Sequence, residues 1–163
     1  MADLTDYGTL VHLLGTWTGD KGFDLAPEPD GDEATPYYET IIYTGKGIAN
    51  NAEQQDLAVV HYHQLVQKKE NGEVFHDQCG YWMWDIAQKI MMHSFVIPRG
   101  VAVLAGGTVR EEDDVIICEV EAKAGDLQWG VLQSPFMDQK AKTVSFQQTL
   151  EIKKEVLAYS QTT

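Results

Sequence analysis

Positive charge is what this sequence has least of. Twelve lysines and arginines stand against 25 aspartates and glutamates in 163 residues, a formal net charge of −13. Nucleic acids and anionic membranes are bound by basic patches that replace counterions, so neither is an expected partner. Long apolar runs are missing too, and none approaches the roughly 18 residues of a membrane-spanning helix. The N-terminus carries Asp3 and Asp6 and no basic stretch ahead of an apolar run, so it does not read as a signal peptide. Cysteine is scarce. Cys79 and Cys118 lie far apart inside expected strands, and the expectation is two buried free thiols in a reducing compartment rather than a disulfide. These absences together point to a cytoplasmic protein. Its length suits one domain, residues 1–163, able to enclose a sizeable core.

What is present is alternation. The stretch Phe75 to Thr108 reads as three successive strands. In the first, Phe75 to Asp85, His76, Gln78, Gly80, Trp82 and Trp84 share one face, and Asp77, Cys79, Tyr81, Met83 and Asp85 the other. Turned inward, the first set puts His76, Gln78 and Trp82 in a barrel, with Gly80 leaving cavity space and Asp77 and Asp85 in water. A reversal at Ala87-Gln88-Lys89 leads into Ile90–Ile97, apolar on both faces. Pro98-Arg99-Gly100 forces a tight turn, because proline presets φ and glycine tolerates positive φ. The Gly106-Gly107 pair that follows permits a bulge or a close backbone contact.

The rest of the chain continues the pattern. Leu10, Leu13 and Leu14 are spaced for one face of a short helix ended by Gly15. Asp20 to Pro36 has three prolines and six acidic residues and is expected to be a solvated loop; it lacks the D-x-D-x-D-G spacing of a calcium site. Tyr37–Gly47 and Leu57–Gln67 read as strands, and Asn71-Gly72 is a strong hairpin signal. Val115–Ala122 and Leu127–Gln133 read as two more, Ser134 to Met137 breaks the pattern, and Thr143–Ile152 with Val156–Thr162 makes a last hairpin. The expected fold is all-β: a single closed antiparallel up-and-down barrel of about ten strands, lipocalin-like and fatty-acid-binding-protein-like, with a short N-terminal helix.

The ordered motifs resemble the nitrobindin family of haem-binding β-barrels. Leu14-Gly15-Thr16-Trp17-Thr18-Gly19 matches its opening L-G-T-W-x-G, which implies Trp17 packed across the closed end. Tyr38-Glu39-Thr40-Ile41 stands for Y-P-T-I, Tyr62-His63-Gln64 for Y-x-Q, and His76 to Tyr81 for H-x-E-x-G-Y with Gln78 replacing Glu. Pro98-Arg99-Gly100, Gly106-Gly107-Thr108, Ala141-Lys142 and Leu157-Ala158-Tyr159 continue the match in order. The resemblance implies a small-ligand-binding barrel with haem b as cofactor. The candidate ligand-binding residues are Thr40, Tyr62, His76, Gln78, Trp82, His93 and Ile97: strand parity turns His76, Gln78, Trp82 and His93 inward, and the match to Y-x-Q implies the same of Tyr62. One departure matters: the family's proximal histidine follows the L-x-Y strand, and the last histidine here is His93. Haem needs an axial donor. Either the protein lacks the haem function or the natural chain continues past Thr163 to a haem-ligating histidine; haem b is not expected to bind these 163 residues tightly, and water or a small hydrophobic molecule is expected near Thr40, His76, His93 and Ile97.

Other classes are weaker. A fatty-acid carrier would need an internal cation, and the only arginines are Arg99 in a turn and Arg110 at a strand end. An enzyme would need an acid–base pair, His76 with Asp85 or Glu119, and no nucleophile motif, phosphate loop or paired-carboxylate spacing supports one. His61 and His63 have the spacing of a metal site, but if Tyr62 and Gln64 face inward both histidines face solvent, and no metal is expected there.

Overall fold

The computed structural model describes residues 4–28, 31–52 and 54–163. A 3₁₀ helix, Leu4–Leu13, is kinked at Gly8 (φ 54°), and it buries Tyr7, Leu10 and Leu13 against one end of the sheet. Eleven strands follow: β1 Gly15–Gly19, β2 Phe23–Glu28, β3 Gly31–Ala52, β4 Gln55–Lys68, β5 Val74–Asp85 and β6 Ile90–Ile97, then β7 Val101–Glu112, β8 Val115–Ala124, β9 Gly130–Gln133, β10 Ser145–Lys153 and β11 Val156–Thr162. One short α-helix, α1 Pro135–Lys140, interrupts them; the Ser134 side chain caps it and Pro135 opens it.

Hydrogen bonding runs β1-β3-β4-β5-β6-β7-β9-β8-β10-β11, a nearly closed barrel, with β2 paired to the start of β3. The expected barrel is there, with one difference in pairing. Where β7 and β8 diverge, β9 wedges between them, antiparallel to β7 and parallel to β8, so the sheet is mixed. Side chains tie the last strand back to the start of the sheet: Tyr159 of β11 donates to the Glu39 carboxylate of β3 at 2.5 Å. Period-two alternation decides the interior. Ile41 and Tyr43, Val60 and Tyr62, Met91 and His93, Phe146 and Leu150 are buried, while their sequence neighbours turn outward.

Several expectations need correction. Asp20 to Pro36 is not simply a loop, because β2 pairs with β3 from Phe23↔Pro36 to Glu28↔Gly31. Proline is tolerated there because β2 is an edge strand that needs no donors on its free side. Leu127 to Trp129 lies in a turn rather than a strand, with Leu127 fully exposed. Ser134 to Met137 does more than break the pattern, since it starts α1. Cys79 is exposed and only Cys118 is buried. Asp77 lies outside as expected, but Asp85 is covered by its own turn, accepting from Gln88 N at 2.8 Å and Gln55 Nε2 at 2.7 Å. Those donors hold its carboxyl below the usual range. Gly80 supplies no cavity space: a Cβ there would stand 2.1 Å from Ser94 O, so glycine serves a close approach of β5 to β6. Gly107 does the same against Glu119 O of β8, as its sequence context suggested.

Candidate functional site

Four strands bring a polar chain into the apolar interior. Gln78 of β5 donates to the hydroxyl of Tyr62 on β4, and that hydroxyl lies 2.8 Å from Nε2 of His93 on β6. With its oxygen accepting from the Gln78 amide, Tyr62 donates its own proton to Nε2, which leaves Nδ1 as the protonated nitrogen of a neutral ring. Trp82 stacks on the imidazole at 4.1 Å between centroids, and Phe95 and Phe146 stand 5.0 and 6.0 Å from it. Buried on all sides, His93 is pushed down to about 3, against a smaller opposing effect of Gln148. Burial likewise pushes the Tyr43 and Tyr62 hydroxyls up.

Gln148 of β10 faces His93 from across the barrel. His93 Nδ1 and Gln148 Oε1 are both buried, and neither makes a hydrogen bond of normal geometry. Together with Tyr62, Gln64, Gln78, Trp82 and Tyr159 they line a small cavity of about 10 Å³. At its outer edge Gln64 Nε2 and Tyr159 Oη donate to Oε1 of Glu39, each at 2.5 Å, and Tyr37 Oη lies 3.3 Å from Tyr159 Oη. Burial, then the Glu39 charge, raises the Tyr159 hydroxyl. A larger hollow of about 410 Å³ is lined by residues 106–108 of β7, 119–121 of β8 and 147–149 of β10, Gln148 among them, and none of the ligand-binding residues expected from sequence touches it.

Of those residues, Tyr62, Gln78, Trp82 and His93 meet at the cavity. His76 faces the same way but stops at the rim, 3.1 Å from Gln78 Oε1. Ile97 packs against the core beyond the cavity lining. Thr40 is misplaced by the sequence reading: Ile41 is buried and Ile42 exposed, so Thr40 shares the outward face with Tyr38 and Ile42. Gln148, Tyr159 and Glu39 were not among the expected ligand-binding residues. The signal for Gln148 was available, as one polar residue in the buried set Phe146, Gln148, Leu150 and Ile152. Neither Asp85, in its turn, nor Glu119, paired with Arg110 outside, is brought to His76. His63 bonds Asp77 at 2.8 Å on the outer face, and among the described residues no group of three or more His, Cys, Asp or Glu is placed to hold a metal ion.

Comparison with known proteins was decisive for the family. A family model described as the THAP4-like, heme-binding beta-barrel domain matches residues 6–163. This chain belongs to that family. The nitrobindin resemblance read from its motifs is thereby borne out. Among solved structures, the crystal structure of Rv2717c from M. tuberculosis is similar over 93% of this chain and 82% of that one, at a TM-score of 0.69 and 21% identity, a likeness that shows the shared fold. No curated protein matches.

Membership in a haem-binding family raises the question of fit. The described interior does not fit a porphyrin: the cavity is about 10 Å³, whereas ligand pockets run to several hundred. His93, the one fully buried histidine, has its Nε2 committed to Tyr62 and its face covered by Trp82. His76, at the rim, is the one other inward-facing histidine among the described residues.

Proposed function

We propose that this domain is a small-ligand-binding barrel whose ligand sends a small polar group into the interior, and that haem is held weakly or not at all. The observation that carries this is the orphan pair. Buried polar atoms almost always have partners, and here His93 Nδ1, a donor, and Gln148 Oε1, an acceptor, face each other across one cavity without closing a hydrogen bond of normal geometry, close enough that Gln148 still offsets part of the burial effect on His93. A single buried water, or one hydroxyl or amine at the tip of a ligand, meets both and suits the space. A fatty-acid carrier is disfavoured, since no lysine or arginine lines the cavity. A cytoplasmic location belongs to the same reading, where an exposed, unpaired thiol such as Cys79 stays reduced.

Haemin titration followed at the Soret band tests the haem part. A broad, non-stoichiometric rise is expected. A sharp, stoichiometric band abolished by His76→Ala would overturn it. Native mass spectrometry of the purified protein tests the ligand part, with Gln148→Leu expected to release whatever small molecule co-purifies.

A further inference from the structure

Resting on that reading of the barrel, we propose that Glu39 makes the outer edge of the cavity select a neutral or cationic nitrogen ligand and turn carboxylates away. Glu39 faces inward from β3. Its Oε1 is fully engaged by Gln64 and Tyr159, while Oε2 makes no hydrogen bond among the described residues. A carboxylate accepts at both oxygens and donates at neither, so the free oxygen takes an N–H or N⁺–H. The groups beside it give an aromatic and hydroxyl surround: the Tyr37 and Phe75 rings pack with centroids 6.3 Å apart and planes tilted by 57°, and the Tyr37 and Tyr159 hydroxyls follow. The neighbouring cavity is lined by no lysine or arginine that would offset the charge. Its reach into the barrel is visible in Tyr37 and Tyr43, whose hydroxyls are raised by burial first and by Glu39 next among the charges. A ligand carboxylate brought here meets a like charge in a partly desolvated site, and a cation meets its complement. The net charge of −13 outside draws cations to the same protein.

Benzamidinium, benzamide and benzoate share one shape and differ in charge, so they isolate this effect. Each is titrated at pH 7 into ¹⁵N-labelled protein and into Glu39→Gln, following amide shifts on the strands carrying Tyr37, Glu39, Gln64 and Tyr159. Wild type is expected to bind benzamidinium about tenfold more tightly than benzoate, with benzamide between. In Glu39→Gln the two ions should draw within about threefold, with benzamide weakened less than benzamidinium. The substitution removes one charge from a net −13, so general attraction to the protein does not account for such a change. Benzoate binding as tightly as benzamidinium, or an unchanged preference in Glu39→Gln, overturns the proposal alone. If none of the three shifts these residues, the ligand-binding reading of this edge falls and the proposal with it.

Discussion

The indole of Trp82 lies flat on the imidazole of His93, with centroids 4.1 Å apart and planes 6° from parallel. Stacking on one side and full burial on the others leave the ring no water to solvate a charge, so it stays neutral across the physiological range. That neutrality has a consequence for stability. His93 titrates near its ordinary 6.5 when unfolded and at about 3 when folded, so below pH 6.5 the unfolded chain binds the extra proton. Stability is full above that value and is lost as pH falls toward 3. The loss should reach about 3 kcal/mol by pH 4. Urea denaturation at pH 7, 5.5 and 4 should show this slope in wild type and a flatter one in His93→Gln. Equal slopes would mean that the ring is solvated. The depressed Asp85 carboxyl acts in a separate window, its contribution being present above about pH 4 and lost below.

Gly80 and Gly19 should respond oppositely to the same substitution. A Cβ at Gly80 meets Ser94 O at 2.1 Å and Phe95 Cα at 2.8 Å, backbone atoms of the adjoining strand that have nowhere to go. At Gly19 it meets nothing within 4 Å. Gly80→Ala should cost about 2–3 kcal/mol by parting β5 from β6, while Gly19→Ala should be neutral within about 0.5 kcal/mol. Denaturant midpoints of the two variants check this, and a neutral Gly80→Ala would show that the strands do not approach as closely as described.

Trp17 ties the barrel to its N-terminal helix. Its indole N–H donates to Leu13 O at 2.8 Å, and its ring packs against the core while remaining half-buried. Trp17→Ala should cost about 2–4 kcal/mol, and Trp17→Phe, which keeps an aromatic ring but loses the donor, about 1 kcal/mol. Hydrogen exchange at Leu10 and Leu13 should rise in both. Unchanged exchange would mean that the helix is held without the indole.

The two thiols should separate by reactivity. Cys79 is exposed on β5, whereas Cys118 is buried in β8, where burial pushes its thiol up to about 12. A thiol reagent under native conditions should modify Cys79 within minutes and Cys118 only on unfolding, a difference read by mass spectrometry with Cys79→Ser as the control. Fast labelling of Cys118 would show that the barrel opens readily.

Much of this architecture was legible in the order of residues because a strand's facing is a local property with period two. Parity put Gln78 and Trp82 in the interior and His93 with them on the next strand, the match of Tyr62-His63-Gln64 to Y-x-Q implied the same of Tyr62, and all four now line one cavity. The hairpin turns were equally local: Asn71-Gly72 and Pro98-Arg99-Gly100 close β4–β5 and β6–β7, with Gly72 and Gly100 at φ 74° and 82°. Strand ends escaped that logic. Asp85 keeps the outward parity of its strand and is nonetheless covered, because the following turn folds back and donates to it.

What only the tertiary structure decided depends on distance along the chain. Alternation says that Gln148 and Glu39 face in, but not that Gln148 meets His93 or that Glu39 receives Tyr159, 120 residues away. The wedge of β9 between β7 and β8 is likewise invisible locally, since a four-residue strand carries no mark of its partners. The size of the cavity is the last such quantity. It is a small remainder after many side chains from separate strands have filled one volume, and no residue read singly carries that remainder.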